Sequence, residues 1–415
     1  MRHSGHVRQR SLGSYELRYS VGTDPATGKR KTITTTVRGT RKQAEKELRR
    51  LLHTIDNGEH VDPSRITVRD WLSTWLGAVR QEVSPRTHER YSELIQHFLA
   101  PAIGHVPVQK LSPAHIQATY NELATGKRRD GRQGGLSPRT RRQIHAVLSS
   151  ALARAIEQQL IAHNPAEAFR RRLPKVERRE MTTLTAEECG RLLAAVRHRR
   201  LYWPVLLALA TGMRRGEILA LRWRNVDLDS GTIRVVESLD QTKQGLRFKP
   251  PKSDRSRGVT LPAAVIEELR RLKREQAEEL LNLGVRQSAA TLLCGRADGE
   301  PLQPRSLTHE FAILMGRLSD LPRVRFHDLR HSHATQLLLA GIHPKVAQER
   351  LGHSTITTTF DLYSHVTATM QEEAAAKLDS VFRSAISTPR VGRLSGSGVS
   401  VANWVATKAV MPLSH

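Results

Sequence analysis

The 415-residue chain is poor in cysteine, in aromatic residues and in long apolar runs, and each shortage removes a class of function. Its two cysteines, Cys189 and Cys294, have no second Cys or His at metal-ligand spacing, so neither a disulfide framework nor a zinc module is expected. They read as small buried apolar side chains. Aromatics are only 4% of the residues, too few for a surface that stacks unpaired bases. No run reaches membrane-spanning length, and no basic amphipathic face or lipid-attachment motif offers an anchor, so a membrane partner is not expected. The opening MRHSGHVRQR is basic with no apolar stretch behind it, which does not read as a secretory signal and predicts a cytoplasmic protein. The phosphate-cradling GxxxxGK(S/T) loop, the HExxH zinc motif and the GxSxG nucleophile elbow are all missing. An acid-base or nucleophilic site without cofactor, bound nucleotide or metal is what remains.

Positive charge is what the chain has in excess. Lys and Arg number 66 against 40 Asp and Glu, a net charge of +26. Such an excess predicts a polyanionic partner, because each phosphate neutralised by a cation releases condensed counterions. Double-stranded DNA held by its backbone fits this composition better than single strands.

Residues 14 to 21 (SYELRYSV) and 31 to 38 (KTITTTVR) are alternating or β-branched runs joined by a loop rich in turn formers, and they read as a small β-hairpin. Thr40 and Gln43 stand at capping-box spacing, opening a helix to about Ile55 that packs on the hairpin. Residues 1 to 65 carry 14 Lys and Arg against 7 Asp and Glu. Next, Trp71, Leu72, Trp75 and Leu76 have the spacing of an amphipathic helix over Thr67 to Arg80. Helices over Ser84 to Leu99, Ser112 to Leu123 and Ser137 to Leu160 each begin with Ser-Pro, an N-cap followed by a proline that suits the first helical position. The cationic loop Gly126 to Gly135 lies along a phosphate backbone or serves as a solvated linker. The basic stretch Arg170 to Glu180 precedes a capping box at Thr185 and Glu188 and marks the main domain boundary. Beyond it the pattern is helix-rich, with a strand patch from about Val226 to Leu261 and a turn at Asp229-Ser230-Gly231.

Three segments place polar groups where an apolar core is expected. In ALATGMRRGEILALRW (208–223) a Thr211-Gly212 break precedes a helix bearing Arg214 and Glu217 at i, i+3, so the carboxylate can orient the guanidinium. RFHDLRHSHATQLLLAGI (325–342) repeats that spacing with His327 and Arg330. LGHSTITTTFDLYSH (351–365) offers His353 and Tyr363.

TGxRxxE, then HxLRH, then LGH with a tyrosine ten residues on, in this order over some 150 residues, resembles the catalytic domain of tyrosine recombinases, the phage integrase family. The resemblance implies a lysine on a β-hairpin between the first two motifs. Lys252, in PPKSDRSRGVTLP, matches that position, with Lys243 and Lys249 as competitors. It further implies an α+β fold, mainly α with small β-sheets: an arm-type DNA-binding domain over 1–62, a three-stranded-type hairpin plus helix; a helical, SAM-like core-binding domain over 66–169; a linker over 170–181; and a mixed α/β catalytic domain over 182–386. The tail 387–415 is rich in Ser and Gly and is expected to be disordered.

The implied activity is that of an integrase that cleaves and rejoins duplex DNA through a 3′-phosphotyrosine, integrating or excising a mobile element without metal or ATP. Tyr363 is then the nucleophile, Arg214 and Arg330 hold phosphate oxygens, His353 donates to the phosphate, His327 accepts or relays a proton, and Lys252 protonates the leaving 5′ oxygen, with Glu217 behind Arg214. His331, beside Arg330, can be structural. The segment after Tyr363 presents Met370, Leu378, Val381 and Phe382, which dock on a neighbouring subunit of a homotetramer on synapsed DNA or pack on their own domain. An excisionase and a DNA-bending host factor are expected accessory partners, and DNA binding associates the protein with the nucleoid. The rival readings are topoisomerase-like relaxation of type IB and a catalytically inactive DNA-binding regulator.

Overall fold

The computed structural model describes residues 4–23, 28–57, 60–126, 134–177, 181–251 and 256–352, with short helical pieces at 375–376, 378–379 and 382–383. Among them, β1 (Gly5–Ser11), β2 (Ser14–Thr23) and β3 (Arg30–Arg38) form an antiparallel sheet in the order β1-β2-β3. The alternating pattern announces β2 and β3. β1 is added to the hairpin without such a signal, because nearly all its side chains are exposed. Helix α1 (Arg41–Asp56) starts at the expected capping box, with the Gln43 amide 3.3 Å from Thr40 Oγ1 and the Thr40 amide 2.8 Å from Gln43 Oε1. It lays Ala44, Leu48 and Ile55 against Leu17 and Tyr19 of β2.

The second unit is helical: α2 (Val68–Ala78), α3 (Pro85–Leu94), α4 (Ala100–Ile103), α5 (Pro113–Thr125) and α6 (Pro138–Glu157). Ser84, Ser112 and Ser137 are N-caps followed by proline, as the Ser-Pro pairs predict. The helix expected over Ser84 to Leu99 instead widens to a π-helical turn at Ile95–Leu99, where the Ala100 amide donates to Ile95 O. Pro101 follows at once and cannot donate to the carbonyl four residues back, so the regular ladder is interrupted there. Trp71, Leu72, Leu94, Leu99, Ile144, Leu148 and Leu152 form the core, and Trp71 Nε1 donates to Ala151 O at 2.8 Å.

The third unit runs α7 (Ala186–Val196), α8 (Tyr202–Thr211), α9 (Arg215–Leu219), β4 (Val226–Asp227), β5 (Thr232–Val235), β6 (Ser238–Thr242), β7 (Gly245–Lys249), β8 (Arg257–Thr260), α10 (Ala263–Asn282), α11 (Pro304–Arg317), α12 (Asp328–Leu339) and α13 (Pro344–Leu351). β4, β5 and β8 form one antiparallel sheet, and β6 pairs with β7 in a separate hairpin. The turn expected at Asp229-Ser230-Gly231 joins β4 to β5, with Asp227 Oδ1 accepting from the amides of Asp229 and Ser230 at 3.0 Å each. α8 is apolar nearly all round and is buried among the other helices. The β6–β7 turn reaches the helical unit: the Lys243 amide donates to Glu89 Oε1 at 2.6 Å, and Lys243 Nζ lies 3.5 Å from Glu93 Oε1, both on α3. No helix among the described residues is long and apolar enough to cross a membrane.

Candidate active site

The apolar helix α8 stops where the polar chemistry begins. The Thr211 hydroxyl donates to Leu207 O at 2.5 Å and accepts from the Met213 amide at 3.2 Å. Gly212 then closes the helix in the left-handed region, with φ 64°. A Cβ at Gly212 would lie 2.6 Å from both His333 Cδ2 and Leu351 Cδ2, so space as well as backbone demands glycine. This turn delivers Arg214 to the N-cap of α9, one step before the helix in which its spacing from Glu217 suggested it would lie. From that extended position the Arg214 amide donates to Glu217 Oε2 at 2.9 Å, and Arg214 Nη1 donates to Glu217 Oε1 at 2.9 Å.

Glu217 is only 2% exposed. Burial alone would raise its carboxyl, but the hydrogen bond from Arg257 and the charges of Arg257 and Arg214 outweigh burial and hold it below the ordinary carboxylate range. Arg257, on β8, is a second guanidinium on this carboxylate, with Nη2 2.6 Å from Oε2 and Nη1 3.2 Å from Oε1.

The second motif opens α12. Asp328 accepts from the Arg325 amide at 2.7 Å, from its Nε at 2.9 Å and from its Nη2 at 2.8 Å, which secures the first turn. Arg330 follows in that turn and is 3% exposed. It donates to Gly212 O at 2.6 Å and to Leu351 O at 2.7 Å. Arg214 Nη2 donates to the next carbonyl, Gly352 O, at 2.9 Å. The arginines of the first two motifs therefore grip consecutive carbonyls at the end of α13, directly ahead of His353. Burial, and after it the charge of Arg214, pushes Arg330 down to about 9, so it keeps its proton at neutral pH.

His327 is the N-cap of α12, and its ring stands edge-on to His331 with centroids 5.3 Å apart. Part of His327 meets solvent, yet the surrounding protein, then His331 and Arg330, shifts its imidazole downward, so it is uncharged at neutral pH. Its near-neutral ordinary value, the reason for expecting a proton acceptor there, is not retained. What persists is a neutral ring at the head of α12.

The Phage integrase family model matches residues 182–370, from ahead of α7 to beyond Tyr363. A second, the Phage integrase N-terminal SAM-like domain, matches residues 67–124, and the two together span more than half of the chain. The chain belongs to the phage integrase family. It is a tyrosine recombinase of the integrase type, a DNA breaking-and-rejoining enzyme. It is 28% identical to a tyrosine recombinase XerC-like protein of Caldanaerobacter subterraneus, over 83% of this chain and 90% of the relative. It is 29% identical to the ICEBs1 integrase of Bacillus subtilis, over 90% of this chain and 99% of the relative. In fold it resembles the Tn1549 transposon integrase solved with circular intermediate DNA, with TM-score 0.61, 20% identity, and 75% of this chain and 99% of that chain covered. It also resembles a lambda integrase dimer bound to a core site, with TM-score 0.52, 21% identity, and 86% and 93% covered.

Of the residues expected in the recombinase site, the structure brings Arg214, Glu217 and Arg330 together at the α13 end that leads to His353, with His327 one turn before Arg330 at the head of α12. Lys252, His353 and Tyr363 lie outside the described residues. The two competing lysines are engaged elsewhere: Lys249 Nζ is 2.7 Å from Asp240 Oδ2, and Lys243 pairs with Glu93. Both Cys294, which is buried, and Cys189, whose thiol burial pushes up to about 11, are inert protonated thiols. Leu378 and Phe382 are 56% and 57% exposed, while Met370 and Val381 lie outside the described residues.

Three further residues of the recombinase scaffold, one pair and one arginine, were not singled out from sequence. His333 Nδ1 donates to Leu209 O at 2.7 Å, and its Nε2 accepts from Arg350 Nε at 3.2 Å, which fixes a neutral tautomer. Arg350 Nη2 also donates to Ala210 O at 3.0 Å, so this pair ties α12 and α13 to the end of α8. Arg257 is the other. An arginine in a run of basic and polar residues carries no local mark of which carboxylate it will meet.

Proposed function

We propose that this recombinase cuts duplex DNA by attack of the Tyr363 oxygen on a backbone phosphorus, forming a 3′-phosphotyrosine and releasing a 5′-hydroxyl, and that reversal with a partner strand integrates or excises a mobile element. The observation that carries the reading is the grip of Arg214 and Arg330 on the Leu351 and Gly352 carbonyls, immediately before the segment that holds His353 and Tyr363. Two guanidiniums fixed in this way can hold non-bridging oxygens as charge gathers on them. His353 donates a further hydrogen bond, and neutral His327 takes the phenol proton. Lys252 protonates the leaving 5′ oxygen, a role supported by the ion pairs that occupy Lys243 and Lys249.

One P–O bond forms as another breaks, so the phosphodiester energy is conserved and ATP is not needed. The positive charge of Arg214, Arg330 and Lys252 supplies what a metal ion supplies in other phosphoryl-transfer sites. Separate apolar clusters, one in the first unit, one in the helical unit and two in the third, support the division into arm-binding, core-binding and catalytic domains. DNA-bound integrase neighbours of the same fold support double-stranded DNA attachment sites as substrate, with the enzyme working in the cytoplasm at the nucleoid. A lambda integrase tetramer bound to a Holliday junction, at TM-score 0.52, and the exposed Leu378 and Phe382 support a homotetramer exchanging its C-terminal segments. An excisionase and a bending factor would set direction.

The test is a suicide-substrate assay in EDTA on DNA flanking the protein's own gene. Wild type is expected to become covalently joined to a 3′ phosphate, and Tyr363→Phe to give no adduct. An adduct that persists in Tyr363→Phe moves the nucleophile elsewhere, and a requirement for added metal overturns the charge assignment.

A further inference from the structure

We infer that Arg257 is a positioning residue of this recombinase: by sharing the Glu217 carboxylate it sets the charge and orientation of Arg214, and by holding the end of α13 it sets the start of the segment that carries His353. The inference rests on the site described above. A carboxylate has about four acceptor directions, and those of Glu217 are all occupied. Oε2 takes the Arg214 amide and Arg257 Nη2, while Oε1 takes Arg214 Nη1 and Arg257 Nη1. The side chains of Glu217 and Arg257 are only 1% and 10% exposed, and Glu217 cannot turn without breaking several bonds.

Two guanidiniums share one negative charge. Without Arg257, Glu217 would be left to Arg214 alone and would neutralise the arginine that must meet the phosphate. The third donor of Arg257 acts on the neighbouring segment, with Nε 3.0 Å from Arg350 O. Gly352 lies against the same guanidinium: at φ 67°, a Cβ there would stand 3.0 Å from Arg257 Nη1. Arg257 thus fills the angle between the first motif, strand β8 and the C-terminus of α13. Lysine at 257 could keep the charge but not the three-point grip, since an ammonium is a point charge without a planar fork.

The experiment compares wild type with Arg257→Gln and Arg257→Lys in single-turnover cleavage, using substrates with an ordinary phosphate or an uncharged methylphosphonate at the scissile position. DNA affinity and melting temperature are measured alongside. On phosphate, Arg257→Gln is expected to cleave about 10- to 100-fold more slowly, short of the ~10²- to 10³-fold typical for losing an oxyanion donor outright. Arg257→Lys should lose less, and DNA affinity should hold. The loss should shrink on methylphosphonate, which lacks the charge that Arg214 neutralises. Equal slowing on both substrates would mean plain structural support and overturn the inference, as would wild-type rates. A readout independent of cleavage is the Nε–Hε resonance of Arg214 in nitrogen-15 spectra, assigned with Arg214→Lys. It should shift in Arg257→Gln, and an unchanged resonance overturns the inference even if no DNA is cut. Failure of wild type to form any adduct would instead count against the site reading itself.

Discussion

The helical and catalytic units are both built on apolar clusters, yet they treat polar groups oppositely. Among the described residues of the helical unit, the buried polar ones are Thr119 and His145. Thr119 bonds back to His115 O at 2.9 Å in its own helix, and His145 shares a hydrogen bond of 2.8 Å with Tyr120. The catalytic unit buries Thr211, Glu217, Gln276, Asp328, Arg330, Ser332 and His333. Taking charge out of water costs several kcal/mol per ion and is only partly recovered by pairing, so such groups are a poor way to gain stability. Their concentration in one unit marks where the chain gives up stability for a preorganised field. The helical unit, free of that demand, is held by packing.

If that contrast is right, the two units should respond to different perturbations. Trp71→Ala removes a large buried ring and its bond to Ala151 O, and the unfolding free energy of the full chain should fall by about 3–5 kcal/mol with little dependence on pH. Urea titrations at pH 7 and pH 5 check this; a strong pH dependence of the loss would erase the contrast.

His333→Gln, whose amide can still donate to Leu209 O and accept from Arg350, should do the reverse. Burial, then the Arg350 charge, pushes His333 down to about 4, with Arg330 acting in the same direction and the Leu209 bond against it. Below an ordinary value near 6.5 the unfolded chain binds a proton that the folded chain refuses. This contribution is therefore complete above pH 6.5 and is lost as pH falls toward 4. Wild type should lose on the order of 2–3 kcal/mol more than the variant across that window. Parallel stability curves for the two proteins would show that His333 does not titrate as its surroundings require.

The smallest effect is local. Thr67→Ala removes an N-cap hydroxyl that accepts from the Asp70 amide at 3.2 Å, and should cost about 1 kcal/mol in a thermal melt without touching cleavage. A loss of cleavage at unchanged stability would mean that α2 is coupled to the catalytic unit more tightly than its contacts suggest.

What could be read in the sequence follows the range of the forces involved. Thr40 and Thr185 cap helices through residues three positions away, and Ser84, Ser112 and Ser137 stand next to a helix-opening proline, so each was visible locally; Thr67 caps its helix through Asp70 in the same way but was not singled out. Arg214, Glu217 and Arg330 were found through motif spacing, but nothing local says that Arg330 reaches Gly212, 118 residues back, or that Arg214 reaches Gly352, 138 residues on. Those bonds exist only after α8, α12 and α13 have packed. The π-helical turn at Ile95–Leu99 escaped because its apolar pattern continues that of α3; the third strand of the first sheet was implied only by the family resemblance, because β1, a polar edge strand, looks locally like a loop.

The two bonds that hold Arg330 end on peptide carbonyls and not on carboxylates. A carboxylate would fix the side chain and cancel its charge in the same act. A carbonyl dipole fixes it and leaves its positive charge without a carboxylate bonded to it, answered only through space by Glu217, a condenser charged by folding and held in a medium that screens it poorly. An anion arriving there does more than find a partner. It discharges a field the fold has already worked to assemble, so part of the free energy spent in closing the catalytic core is returned at the moment a phosphate enters it.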